Sequence, residues 1–225
     1  SRIASTAGAR ATSQSHAAPA PLGSAAMDPA LLPALLGFAF VSSITPGPNN
    51  LMLLASGANF GFRRSLPHMF GIAAGHSFMV VVVGLGLMGL FEAVPLLHDL
   101  LTIVSVAYLL WLAWRIATAV PKDGEARGRP LTFWEAAAFQ WVNPKAWYMA
   151  VFAITLYAGD ATWGVLAVAG VFALTNLPSI SVWAAVGVEV RRLLGSPARL
   201  RAFNWTMAAL LVLSLWPVVS PYLAR

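Results

Sequence analysis

The chain has 225 residues, of which 59% are hydrophobic and only 10% charged, with a formal charge of +6 and no cysteine. A soluble domain normally carries ~25% charged and ~45–50% apolar residues, so this apolar excess needs a solvent other than water. The absence of cysteine excludes disulfide frameworks, thiolate metal sites and thiol-redox carriers. The basic residues fall in short runs between apolar blocks, unlike a nucleic-acid footprint.

Residues 1–26 are rich in Ala, Ser, Thr and Pro, hold Arg2 and Arg10, and contain no acid. Without an apolar core they do not form a secretory signal peptide. Met27-Asp28-Pro29 resembles a natural start, so the segment reads as a non-native upstream extension or a disordered arm. An organelle transit peptide is the third reading. The membrane domain is expected over 27–225.

A spanning helix needs ~20 mostly apolar residues. Six blocks qualify: about Ala30–Asn59, Leu66–Phe91, Val94–Ala117, Phe133–Tyr157, Thr162–Val188 and Phe203–Leu223. They are continuous apolar runs rather than the short alternations of a barrel, so the fold class is an all-α polytopic membrane protein. The first, third and fifth loops carry Arg63 and Arg64, then Arg115, Lys122, Arg127 and Arg129, then Arg191, Arg192, Arg199 and Arg201. The second and fourth loops hold only Glu92, His98, Asp99 and Asp160. Odd-numbered loops are therefore expected in the cytoplasm, with both termini outside. Trp111, Trp114, Trp134, Trp163, Trp205 and Tyr222 lie near block ends, as interfacial anchors should.

Four blocks carry polar or helix-breaking residues near their middles. The first has Thr45-Pro46-Gly47-Pro48-Asn49-Asn50, and the second has Gly71, Gly75, His76 and Ser77. The fourth has Gln140, Asn143, Pro144 and Lys145, and the fifth has Thr175, Asn176, Pro178 and Ser179. Broken, broken, plain, repeated once, predicts two three-helix halves, about 27–120 and 130–225. Three spans is an odd number, so the second half must enter the membrane from the opposite side.

Thr45 before Pro46, and Asn143 before Pro144, read as capping residues ahead of restarted helices. A restarted helix presents free N–H groups and a positive dipole end, which suit a carboxylate. Gly47 allows close backbone approach, and Asn49 and Asn50 offer donors and acceptors. Lys145 stands inside the fourth block, where a charge costs ~2.5–3.5 kcal/mol on insertion scales. It could bind a carboxylate, carry a proton through a cycle, or satisfy nearby carbonyls. His76, with an unperturbed pKa of ~6.5, is a second proton-coupling candidate, or else an interior histidine. Asn176 is a site wall or a satisfied kink. Gly71 and Gly75 form a GxxxG pair that helix packing explains.

Ser43-Ile44-Thr45-Pro46-Gly47-Pro48-Asn49 resembles the hallmark of the lysine-exporter (LysE/RhtB) family of amino-acid efflux permeases. Gly61-Phe62-Arg63-Arg64-Ser65 and Gly71-Ile72-Ala73-Ala74-Gly75 are similar to its continuation, and Trp141-Val142-Asn143-Pro144-Lys145-Ala146 to its second signature. The resemblance covers about 27–222. It implies export of amino acids or their relatives from the cytoplasm of a bacterium across the inner membrane, coupled to protons. By position, Thr45, Pro46, Gly47, Pro48, Asn49, Asn143, Pro144 and Lys145 would form the transport site. Some members carry a carboxylate where this chain has His76, which leaves the coupling group open. With no buried acid well placed, a neutral amino acid or its lactone is the expected substrate rather than a dication. No metal, cofactor or nucleic acid is expected; the lipid bilayer is the partner, and a homo-oligomer remains open. A membrane enzyme would need paired catalytic groups at depth, such as HExxH, and none occurs. The alternatives are a channel or an exporter of another small solute.

Overall fold

The structure is a computed structural model that describes residues 28–87, 93–94, 96–119, 121–122, 125–126, 128–159 and 161–223. The 1–26 extension, Glu92, Arg127 and Asp160 lie outside the described residues, as do the side chains of His98 and Lys122.

Helix α1 (Leu32–Ile44) follows a single 3-10 turn and ends at the Thr45–Gly47 break. Helix α2 (Pro48–Phe60) leaves that break bent by 52° from α1. Helix α3 (Phe62–Val82) continues into a π turn at Val83–Leu87, and α4 covers Leu96–Ala117. A two-residue antiparallel ladder, β1 (Pro121–Lys122) with β2 (Glu125–Ala126), lies in the third loop. Helix α5 (Phe133–Phe139) starts with a capping box between Thr132 and Glu135. A 3-10 turn (Gln140–Val142) leads to Asn143 and α6 (Pro144–Ala153), which ends in a π turn at Ile154–Ala158. Helix α7 covers Thr162–Leu194, α8 Pro197–Leu213 and α9 Trp216–Leu223.

The molecule is an all-α polytopic membrane protein. Among the described residues three helices are long and apolar enough to span, Phe62–Leu87, Asp99–Ala117 and Thr162–Leu194, and two bent pairs bring the number to five if each is one span. The Phe133–Tyr157 block is divided at Gln140 and Asn143 into pieces too short to count on their own.

Two of the expected breaks are absent. The polar stretches of the second and fifth blocks lie in unbroken helix, within Phe62–Val82 and Thr162–Leu194, with Pro67 inside α3 and Pro178 inside α7. Proline is tolerated inside a membrane helix where neighbouring helices and local adjustments support the chain. Around Pro178, the hydroxyls of Thr175, Ser179 and Ser181 donate to carbonyls one turn back, at 2.6–2.8 Å. The sixth block, expected to be plain, bends by 42° between α8 and α9. It also starts earlier than expected: Ser196 caps α8, accepting from the Arg199 N–H, so Arg199 and Arg201 are helical rather than loop residues.

Helix α7 packs against α1, α2 and α3, and small residues permit the approach. A Cβ on Gly57 would meet the Ala184 carbonyl oxygen, and one on Gly187 would meet that of Leu54. Gly71 and Gly75 face Phe133 and Ala137 of α5 in the same way, so the GxxxG pair is a packing surface. Among the described residues three buried apolar clusters result, the two largest of which matter here. One joins Leu53, Ile72, Leu112, Phe139, Ile180 and Leu211; the other joins Leu35, Met79, Ala150, Val168 and Phe172. Outside, Phe40, Phe78, Ile103, Leu174 and Trp163 are exposed, as a lipid-facing surface requires.

Candidate functional site

The boundary between the two apolar clusters is polar. Along α3, His76 lies between Ile72 of one cluster and Met79 of the other. Along α7, Asn176 lies between Ile180 and Phe172 in the same manner. The two helix breaks meet at this level, around a cavity of about 20 Å³. Its wall includes Gly47, Asn49, His76, Asn143, Lys145 and Asn176, six of the residues predicted from the sequence. A space of that size holds about one water molecule and no larger solute.

The first break differs from its sequence reading. Pro46 does not start a helix. Thr45 adopts the extended backbone favoured before proline (φ −62°, ψ 144°), and its hydroxyl donates backwards to the Val41 and Ser42 carbonyls, at 2.8 and 3.0 Å. The helix restarts two residues later, with Gly47 as its cap and Pro48 in the first position. Proline is suited to that position because the N–H it lacks would be unpaired anyway. The second break matches its reading. Asn143 caps α6, its side-chain oxygen accepts from the Lys145 N–H at 3.2 Å, and Pro144 is first.

Lys145 joins the two breaks. Its Nζ donates to the Thr45 carbonyl at 2.6 Å, the Thr45 hydroxyl at 3.2 Å and the Pro46 carbonyl at 3.5 Å. The ammonium therefore rests at the negative end of α1, where a cation is stabilised. Thr45 and Pro46 are exposed, so this break reaches the molecular surface. Gly47 is needed for the contact, since a Cβ there would lie 2.6 Å from Lys145 Cδ.

Asn49 and Gln140 form a reciprocal amide pair at 2.9 and 3.2 Å, and Gln140 also donates to Ala136 O. Asn50 donates to the carbonyls of Ser43 and Thr45, and the Trp183 ring N–H to that of Ile44. These bonds satisfy the backbone that the break leaves open. Asn50, Gln140 and Trp183 had not been picked out as site residues. The first two sit inside the motifs and were open to that reading, whereas no local signal marks Trp183.

His76 is buried, edge-on to the Phe172 ring with centroids 4.7 Å apart. The Ala146 backbone lies beside it without a well-aligned bond, and both ring nitrogens are left without a partner. Pro144 lines a separate outer groove with Trp147 and Tyr148. Nearer the charged loops, Glu135 holds Arg129 in a two-pronged pair at 2.6 and 2.8 Å, and this raises the Arg129 pKa further above its ordinary value. The residues that line the small cavity include one lysine and one histidine but no carboxylate.

A polytopic helical membrane protein with two interrupted helices meeting at a polar pocket fits the class of membrane transporters. The LysE type translocator family matches residues 40–214 of the chain, and the chain belongs to that family. It is similar to the cysteine/O-acetylserine efflux protein of Klebsiella pneumoniae, with 33% identity over 193 residues, 83% of this chain and 95% of that protein. The protein of the same name in Escherichia coli strain K12 is 32% identical over 191 residues, 83% of this chain and 96% of that one. No solved structure matches the chain. The molecule is thus a multi-pass inner-membrane transporter of the LysE/RhtB family and not an enzyme. These two relatives are named for cysteine and O-acetylserine rather than for lysine.

Proposed function

We propose that the protein exports small neutral amino acids or their derivatives from the cytoplasm, coupled to protons, through the cavity at the two breaks. The observation that carries this reading is the Lys145 ammonium on the Thr45 carbonyl at 2.6 Å. In this conformation the lysine fills the place that a zwitterion needs. An incoming α-carboxylate would draw Nζ from the carbonyls and also meet the free N–H groups at the start of α2. The vacated Thr45 and Pro46 carbonyls would then accept the α-ammonium. The substrate thus exchanges one set of charge-assisted bonds for another, and neither ion is left unpaired in a dry setting. A second cation on the substrate would find no carboxylate in the cavity wall.

Thr45, Pro46, Gly47, Pro48, Asn49, Asn143, Pro144, Lys145 and Asn176 make up the proposed substrate site, with Lys145 and His76 as the coupling groups. The matched positions of the breaks, early in each half, support six spans in two inverted repeats, with the odd-numbered loops in the cytoplasm. The two relatives named above make cysteine and O-acetylserine the first solutes to test.

The test is export from cells that express the chain and are loaded with amino acids by dipeptide feeding and with O-acetyl-L-serine. Selective accumulation in the medium, abolished by Lys145→Ala while membrane insertion is retained, is the expected result. Full export by that variant would remove Lys145 from the site. Accumulation that never saturates would favour a channel.

A further inference from the structure

A second cavity, of about 230 Å³, lies between α2, α3, α4 and the 128–131 segment. It is below the ~300–1,000 Å³ of drug-sized pockets, so it suits a smaller ligand. It sits at the end of the molecule that carries the arginine-rich loops. His68, on its wall, is eight residues before His76 on α3, a separation of ~12 Å along the helix.

Two features make this cavity a built site. His68 is only 2% exposed, yet neither ring nitrogen has a hydrogen-bond partner. A buried polar group left unpaired is costly, and a ligand that pairs with it recovers that cost. Arg115 supplies a cation to the same wall. Its guanidinium lies over the Trp111 ring at 4.9 Å and donates to the Arg129 carbonyl at 3.2 Å. Arg129 is occupied by Glu135, and Ser56 by Ser65 at 2.7 Å. Arg115 and His68 therefore remain for a ligand.

We infer that this cavity is a cytoplasmic docking site for a small α-amino acid, with its carboxylate on Arg115 and its ammonium on the acceptor nitrogen of His68. The inference rests on the exporter reading and its orientation, and adds a station where solute is collected before it reaches Lys145. Two stations about two helical turns apart let the entrance hold solute while the central pocket is closed.

The test is equilibrium binding of labelled O-acetyl-L-serine to the full chain in lipid nanodiscs. Lys145→Ala removes the central site, and the residual binding belongs to the entrance. His68→Gln or Arg115→Gln in that background should weaken the residual binding at least tenfold, with the folded, monodisperse state retained. Two substitutions guard against the loss of folding in either one. Residual binding unchanged by both would overturn the inference. A single site in the native chain, lost with Lys145→Ala and indifferent to His68→Gln, would overturn the entrance site but leave the exporter reading intact. No binding by the native chain would overturn the entrance site; if export were also absent, the exporter reading would fall with it.

Discussion

Lys145 is held by carbonyls that no side-chain substitution elsewhere would remove, so the way to disturb it is to crowd its stem. Gly47 offers that handle, because a Cβ there falls 2.6 Å from Lys145 Cδ. Gly47→Ala should displace the ammonium from Thr45 and reduce the export rate about tenfold or more. Hydrogen bonds to charged groups are worth ~1.5–3 kcal/mol, which sets that scale. Export at the native rate by a well-inserted Gly47→Ala protein would show that the contact is incidental. His76 poses a separate question. It shares the cavity with Lys145, and no carboxylate shares it with either. If His76 carries the coupled proton, His76→Gln should flatten the dependence of export on external pH. An unaltered pH profile would leave His76 as a packing residue against Phe172.

Among the elements, the two restarts differ in how they are capped, and the difference has consequences. Asn143 caps α6 with its own side chain, whereas Gly47 caps α2 with backbone alone. Replacing Pro144 by Ala leaves that cap in place and adds one N–H at the first helical position. It should impair flux severalfold while expression changes little, which quantitative blotting beside the export assay would read. Loss of expression and flux in equal measure would mean that Pro144 serves folding alone. The sequence was informative about these interruptions because proline and glycine act locally, through φ and a missing N–H. It was less informative about Pro178, where the outcome turns on whether neighbouring hydroxyls and packed helices support the chain. The same limit applied to the start of α2, since Pro46 and Pro48 offer equally good first positions. In the structure Gly47 is the cap and Pro48 takes the first position. His68 escaped notice because its significance lies in its lack of partners, which only a packed structure reveals.

At the level of the whole molecule, the arginine-bearing loops and the entrance cavity lie at one end, and the helix breaks lie between the two apolar clusters. The proposed six spans rest on the lengths of the apolar blocks and the proposed orientation on charge placement, so the orientation can be tested on its own. Single cysteines can be introduced into the cysteine-free chain. At Gly128 such a cysteine should react with a membrane-impermeant maleimide only after the cells are broken. Labelling of intact cells at that position would reverse the orientation, and with it the direction assigned to the entrance.

The two amide pairs on α2 have an electrical consequence. Asn49 with Gln140, and Asn59 with Asn204, hold the two ends of one helix to the second half of the chain, ~15 Å apart. Both clasps are uncharged, so the membrane potential does no work when they open and close. A zwitterion carried past them adds no net charge. The voltage sensitivity of the cycle then falls to the coupled proton and the group that carries it, Lys145 or His76, at ~2.3 kcal/mol per elementary charge per 100 mV across the whole field. Proteoliposomes under imposed potassium potentials would measure it. A steeper dependence would require other charges to move, while a flatter one would mean that this group hands over its proton without travelling far itself.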